Sequence, residues 1–299
     1  MFIKKHKKQI AMVLITIFMS FVLVGCGEQT ETPGDTAGTE NQPVRLLYVE
    51  WACATATTHV IADILENEFD YPVELTPVSA ALMYEGLANG DGDAFFCAWL
   101  PITHKDYMDK LGDRMVDLGP NLEGAKLALT VPDYVDIDSI EEMNSVKDKF
   151  NGEIIGIDPG AGIMRCAEQA IKDYNLDYTL MEGSDATMVA ALKSAIDRNE
   201  WVVVTGWIPH WKFARWDLKT LNDPKLSFGE AETINTIVRT GLQEDRPDLY
   251  EFFDKFEWSS DDLSRAMVLV EENEGDTKKA AHQWVEENQE LVQSWLPAK

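Results

Sequence analysis

The chain has 299 residues, 45% of them hydrophobic, which is enough for a real core in one large or two medium domains. Its formal charge of −26 excludes nucleic acid and anionic lipid headgroups as electrostatic partners. Besides Cys26, the cysteines are Cys53, Cys97 and Cys166. An odd count without short spacing argues against a disulfide framework or a zinc site, and leaves a single Cys53–Cys97 bridge open.

The first segment is basic, MFIKKHKK, and QIAMVLITIFMSFVLVG after it is apolar. A basic stretch, an apolar stretch and small residues describe an export signal. LVGC (23–26) resembles the bacterial lipoprotein signal. That likeness implies a signal peptide over 1–25 and a lipid on Cys26. An ordinary transmembrane anchor is the alternative, because the apolar run is nearly long enough to span a bilayer. Loss of the signal takes Lys4, Lys5, Lys7 and Lys8 and no acid, so the mature chain is more acidic still. Residues 26–43 are polar, rich in Pro, Gly and Thr, and read as a flexible tether. No later run is long enough to cross a bilayer, so the body is expected outside the membrane, held to it by lipid.

VRLLYVEW (44–51) reads as a strand and TATTHVIADILENEF (55–69), with apolar residues near 3.6 spacing, as a helix. YPVELTPVSA (71–80) is a second strand, and ALMYEGLANGDGD (81–93) a helix that stops at Gly90. The strand over 93–99 completes β-α-β-α-β, hence a parallel sheet. AKLALTVPDYV (125–135) is extended and leaves this unit. A second unit repeats the plan. EIIGID (153–158) is a strand, PGAGIMRCAEQAIKDY (159–174) a turn and helix, and DYTLMEG (177–183) a strand. SDATMVAALKSAIDRN (184–199) is a helix capped by Ser184 or Asp185, and WVVVTGW (201–207) is the third strand. NTIVRTG (235–241) is extended and available to cross back. From about residue 247 the pattern is helical. The fold class is therefore α/β, a clamshell of two lobes with the ligand in the cleft and two crossover segments. Lobe 1 is 44–130 plus 237–299, and lobe 2 is 131–236.

DAFFCAWLPITH (93–104) and WVVVTGWIPHW (201–211) are alike: each apolar run stops at Trp-x-Pro, with a His soon after. Proline ends a strand because it donates nothing to a ladder. Trp51, Trp99 and Trp207 all fall at strand ends, where α/β proteins bind ligands. One such tryptophan is more simply a core residue; three at equivalent places point to an aromatic cage, whose best guest is a quaternary ammonium. Trp258, Trp284 and Trp295 sit on amphipathic helices and read as packing. IDPGAGIM (157–164) joins a strand to a helix through Pro and glycines, so its backbone N–H groups offer an anion site. It lacks the spacing of a dinucleotide or P-loop motif, and a ligand-free βα turn is the competing reading. His104 shares the loop of Trp99 and can donate to a carboxylate. His210 reads equally as a cap or a surface group. There is no G-x-S-x-G, no H-E-x-x-H, no metal cluster, and no sign of a cofactor or of an enzyme.

YVEW (48–51), LANGDGDAFFCAWLPITHKDY (87–107), IGIDPGAGIM (155–164) and TGWIPHW (205–211) together resemble the glycine betaine/proline betaine substrate-binding proteins of ABC transporters, over essentially all of the chain from about residue 44. The resemblance implies a periplasmic-binding-protein fold and an osmolyte delivered to the permease and ATPase subunits of an importer. It implies Trp51, Trp99 and Trp207 around the trimethylammonium group, and Gly162, Ile163 and His104 at the carboxylate. It assigns nothing to Cys53 and Cys97. Choline or carnitine as ligand, or a sensor without transport, remain alternatives. The lipoprotein reading carries its own test: Cys26→Ser should release the protein or leave an unprocessed precursor in a membrane-fractionation assay. A variant processed and held at the membrane like the wild type contradicts it.

Overall fold

The computed structural model describes residues 42–297, so the expected signal peptide, Cys26 and nearly all of the tether lie outside the described residues. Both repeated units are built as their periodicity predicts. In the first, β1 (Val44–Tyr48), α1 (Ala52–Glu68), β2 (Val73–Pro77), α2 (Ala80–Asn89) and β3 (Ala94–Leu100) follow in order. Strand β1 lies between β2 and β3 and is parallel to both. Helix α1 buries Val60, Ile61, Ile64 and Leu65, one face at helical spacing. Helix α2 ends on Gly90, whose φ of 81° is the left-handed cap that glycine adopts without a Cβ penalty.

After the short helix α3 (Lys105–Leu111) comes β4 (Met115–Pro132), an 18-residue strand that belongs to both halves of the molecule. Met115–Ala125 pair antiparallel with the later strand β9, with three register shifts. From Lys126 the strand pairs instead with β7. The bulges explain why one strand can serve two sheets: each extra residue bends it. They also broke the alternation that would have exposed its first half to sequence reading.

The second unit contains β5 (Glu153–Ile155), α4 (Gly162–Asp173), β6 (Thr179–Met181), α5 (Asp185–Arg198) and β7 (Val204–Ile208). Again the first strand lies between the second and third, parallel to both. Ser184 caps α5 in a reciprocal box with Thr187, satisfying two N–H groups at the helix start. A run of 3-10 helix over Ile140–Phe150 precedes this unit and was not anticipated. The short helix α6 (Lys212–Arg215) and β8 (Leu218–Thr220) follow, and β8 pairs with the end of β4. Strand β9 (Glu232–Arg239) then lies between β3 and β4 in the first half, so the return connection is the stretch 221–231 that precedes it.

The chain ends in α7 (Leu242–Asp245), α8 (Pro247–Lys255), α9 (Ser260–Glu272), α10 (Thr277–Glu287) and α11 (Gln289–Trp295). Helices α9 and α10 pack on α1, which puts this tail on the first unit. Trp258, Trp284 and Trp295 are buried together, Trp284 stacking on Trp295 at 6.1 Å, so the packing reading holds for all three; Trp258, however, lies in the link between α8 and α9 and not on a helix. The architecture is a two-lobed α/β clamshell with two crossings.

Asp93 fastens three strands of the first lobe. Its carboxylate accepts from the Arg45 amide at 2.9 Å, the Arg45 guanidinium at 3.1 Å and the Arg239 guanidinium at 2.7 Å. Burial alone would raise its pKa, but these bonds outweigh burial and hold it below the usual carboxylate range. A folded pKa below the unfolded one gives stability that is fully present above about pH 4 and lost as pH falls through the folded value. Asp93→Ala leaves two arginines facing a buried gap and is expected to cost roughly 3–5 kcal/mol in urea unfolding. A loss below about 1 kcal/mol contradicts this assignment.

Candidate functional site

Trp51, Trp99, His104, Gly162, Ile163 and Trp207 all line one cavity between the lobes. Cys53, Thr103, Leu127, Ile157 and Ala161 complete its wall. No acidic side chain lines it. Trp99 and Trp207 are each the last residue but one of the third strand of their unit, before the cis Leu100–Pro101 and Ile208–Pro209 bonds. Trp51 is the N-cap of α1. The three indoles are at most 6% exposed. Trp51 stacks on His104 and Trp207 meets His210 edge-on, and no two of the three indoles pair with each other among the described residues.

The orientation of each group has a visible cause. The Trp51 indole N–H donates to the Asp158 carboxylate across the cleft at 3.1 Å. An anionic acceptor on the N–H makes the ring richer in electrons, which strengthens its attraction for a cation. The opposite lobe thus helps to aim and to tune a tryptophan of the first. His104 accepts the Trp99 amide hydrogen at Nδ1, 3.1 Å away. That bond fixes the tautomer, so the proton sits on Nε2. Burial, with Arg165 nearby, lowers the His104 pKa to about 3. The imidazole is consequently a neutral donor at physiological pH. Glu232 on β9 anchors its loop, accepting from the amides of Ile102 and Thr103 at 2.6 and 2.9 Å and from the Thr103 hydroxyl.

The start of α4 supplies another part of the wall. The first N–H groups of a helix have no acceptor within it, and Ala161, the N-cap, supplies no side-chain bond. Gly162 and Ile163, the first two residues of the helix, line the cavity at the positive end of the helix. A Cβ on Gly162 would lie 2.1 Å from the Thr103 carbonyl oxygen, so only glycine lets the lobes meet this closely. Around this point Tyr107 donates to the Gly160 carbonyl at 2.8 Å, and Arg165 to the Ile102 carbonyl at 2.7 Å. On the far side of Trp51, the Ala52 amide donates to Asp185 at 2.8 Å.

Two readings that the sequence left open are decided. Cys53 and Cys97 are not bridged; both thiols are free and buried. The Cys97 sulfur lies 3.5 Å from Met83 Sδ, and burial pushes the Cys53 thiol up to about 12. Cys53 instead lines the cavity, a position that small size suits in the crowded first turn of α1. His210 is not a surface group and not a wall residue of this cavity; the cap reading holds, its Nδ1 accepting the Lys212 amide hydrogen at the start of α6, 3.1 Å away. It is 3% exposed and bonded through Nε2 to Asp185 at 3.2 Å. Sequence reasoning missed Asp158 and Glu232 because their partners lie more than a hundred residues away.

Burial, the dominant cause, also lowers His210 to about 4. A histidine neutral when folded but protonated near pH 6.5 when unfolded makes acid destabilising. The loss begins as pH falls below about 6.5 and continues down to the folded values. Urea midpoints should therefore fall between pH 7 and pH 5, by roughly 1–2 kcal/mol for each of His104 and His210. A midpoint unchanged over this interval contradicts the neutral, buried state of the two rings.

A family model described as the substrate-binding domain of the ABC-type glycine betaine transport system (OpuAC) matches residues 42–287. The glycine betaine/carnitine transport binding protein GbuC of Listeria monocytogenes is 45% identical over 152 residues, 50% of this chain and 50% of that protein. The matched stretch thus spans about half the length of that curated relative. Among solved structures, the glycine betaine/L-proline-binding protein ProX of Borrelia burgdorferi superposes with a TM-score of 0.82 at 41% identity, covering 86% of this chain and 97% of the other. Lactococcal OpuAC, closed and complexed with glycine betaine, gives 0.82 at 37% identity, over 86% of this chain and 100% of the other. A choline-binding protein in complex with choline gives 0.77 at 25% identity, over 85% and 91%.

Proposed function

The chain belongs to the family of substrate-binding domains of ABC-type glycine betaine transport systems, and on that footing we propose that it captures glycine betaine, or a close quaternary ammonium osmolyte, outside the membrane. It hands the solute to the permease and ATPase subunits of an importer and performs no chemistry on it. Cys26 carries the lipid that keeps it at the cell surface. The observation that carries this reading is the joining, around one cavity, of three tryptophans, a neutral imidazole and the first two residues of a helix.

The two ends of a betaine need opposite treatment. A trimethylammonium ion has no N–H to donate, so it is held by quadrupole attraction and dispersion. A desolvated cation–π contact is worth up to about 2 kcal/mol, so three supply roughly 6 kcal/mol. The carboxylate accepts from Gly162 N–H, Ile163 N–H and His104 Nε2–H, each charge-assisted bond contributing about 1.5–3 kcal/mol. After the cost of association, micromolar binding, near −8 kcal/mol, is expected. Because cage and clamp draw on both halves of the sheet, ligand and closure stabilise each other. The expected lobes, 44–130 with 237–299 and 131–236, are kept as proposed divisions; the pairing change at Lys126 on β4 and the start of β9 at Glu232 favour edges about four residues earlier at each crossing.

Calorimetric titration separates cage from clamp. Trp99→Ala should weaken glycine betaine by roughly 2–4 kcal/mol. His104→Ala should weaken glycine betaine strongly and choline little, since choline has no carboxylate to lose. Equal losses for the two ligands in His104→Ala would remove that residue from the clamp, and unaltered affinity in Trp99→Ala would remove the cage. Gly162→Ala, which pushes Thr103 away, should keep the scattering radius of gyration at its ligand-free value even in millimolar glycine betaine. Wild-type contraction in that variant contradicts the proposed closure.

A further inference from the structure

Lys212 is fully buried, and its Nζ has no hydrogen-bond partner among the described residues. It sits 4.2 Å from the centroid of the Trp207 ring, and Lys212 is not a wall residue of the cavity that Trp207 lines. One indole thus has a resident cation over it and, on the reading above, a second cation to accommodate at the cavity. We propose that Lys212 is a specificity-determining residue that disfavours guests of net positive charge and favours zwitterions.

The charges around the lysine support this. Asp185 on α5 is 5% exposed and accepts from His210 Nε2 and the Ala52 amide. Burial would raise the Asp185 pKa, but His210, Lys212 and the amide together keep it low, so the carboxylate is ionised. His210 receives the Lys212 amide hydrogen on Nδ1 and is neutral. Cys53 on α1, the remaining titratable neighbour, is a neutral thiol. Among these groups Lys212 carries the one positive charge, with Asp185 as its counter-charge. Its own pKa is lowered to about 8 by burial, against the pull of Asp185 and Cys53. Buried charges are poorly screened, so the ammonium acts through the thickness of the ring. It repels the onium group of any guest. A zwitterion recovers part of that cost because its carboxylate is attracted; a net cation recovers none. The contrast with Trp51, whose N–H is bound by an anion, is internal to the site: one ring is enriched for a cation and another is already engaged by one.

The inference rests on the betaine reading and deepens it. The test is titration of glycine betaine and choline into the wild type and Lys212→Met at pH 7, with thermal melting to confirm folding. Removal of the charge should raise the affinity ratio of choline to glycine betaine about three- to tenfold. A folded variant with the wild-type ratio overturns the proposal. Should Lys212→Met not fold, the wild type decides alone. Raising the pH from 7 to 9.5 discharges the lysine, while neither ligand nor any of the named neighbours titrates, so the ratio should move the same way. A ratio constant over that interval also overturns the proposal. A wild type that binds neither compound refutes the underlying reading, whereas an unmoved ratio refutes only the role of Lys212.

Discussion

The proposed guest, a permanent cation without N–H groups, offers only its charge and its surface to hold, so its capture depends on three buried indoles around one cavity. The fold meets that requirement by placing each tryptophan where backbone position is over-determined. Trp99 and Trp207 stand at the ends of the third strands of two like units, and Trp51 caps the first helix. Indole faces alone would not fix a guest's direction. That comes from the start of α4, where Gly162 brushes the Thr103 carbonyl. The same contact that lets the lobes meet brings the free amides beside His104.

Coupling between the lobes follows from bonds that cross the cleft at cage residues themselves. Asp158 holds the Trp51 N–H, and Asp185 holds the amide next to it. In each case a carboxylate from the second lobe meets a donor from the first. Opening the cleft would release these groups to water together with the cavity. On the proposed reading, ordering the cage and closing the lobes are one event.

Much of this was legible in the sequence, for a physical reason. Strands, turns and helix starts are local, so Trp-x-Pro after an apolar run and Pro-Gly-x-Gly before a helix announce their own geometry. Both units emerged with strand order and helix limits close to those observed, and the six named residues line one cavity. What stayed hidden depends on distance or on irregularity. The first half of β4 was lost because its bulges interrupt the alternation, and α3 and β8 are too short to show a period. Glu232, Asp158 and Asp185 act on partners far along the chain, so nothing beside them signals a role. Lys212 follows a motif that the sequence singled out, yet an isolated lysine reads as solvated surface until its burial is seen.

The most direct test of this account is a crystal structure grown with glycine betaine. The trimethylammonium group should lie within about 6 Å of the ring centroids of Trp51, Trp99 and Trp207. The carboxylate oxygens should lie about 2.7–3.2 Å from the amide nitrogens of Gly162 and Ile163 and from His104 Nε2. Ligand density outside this cavity, or the cation turned toward α4 with the carboxylate among the indoles, would contradict it.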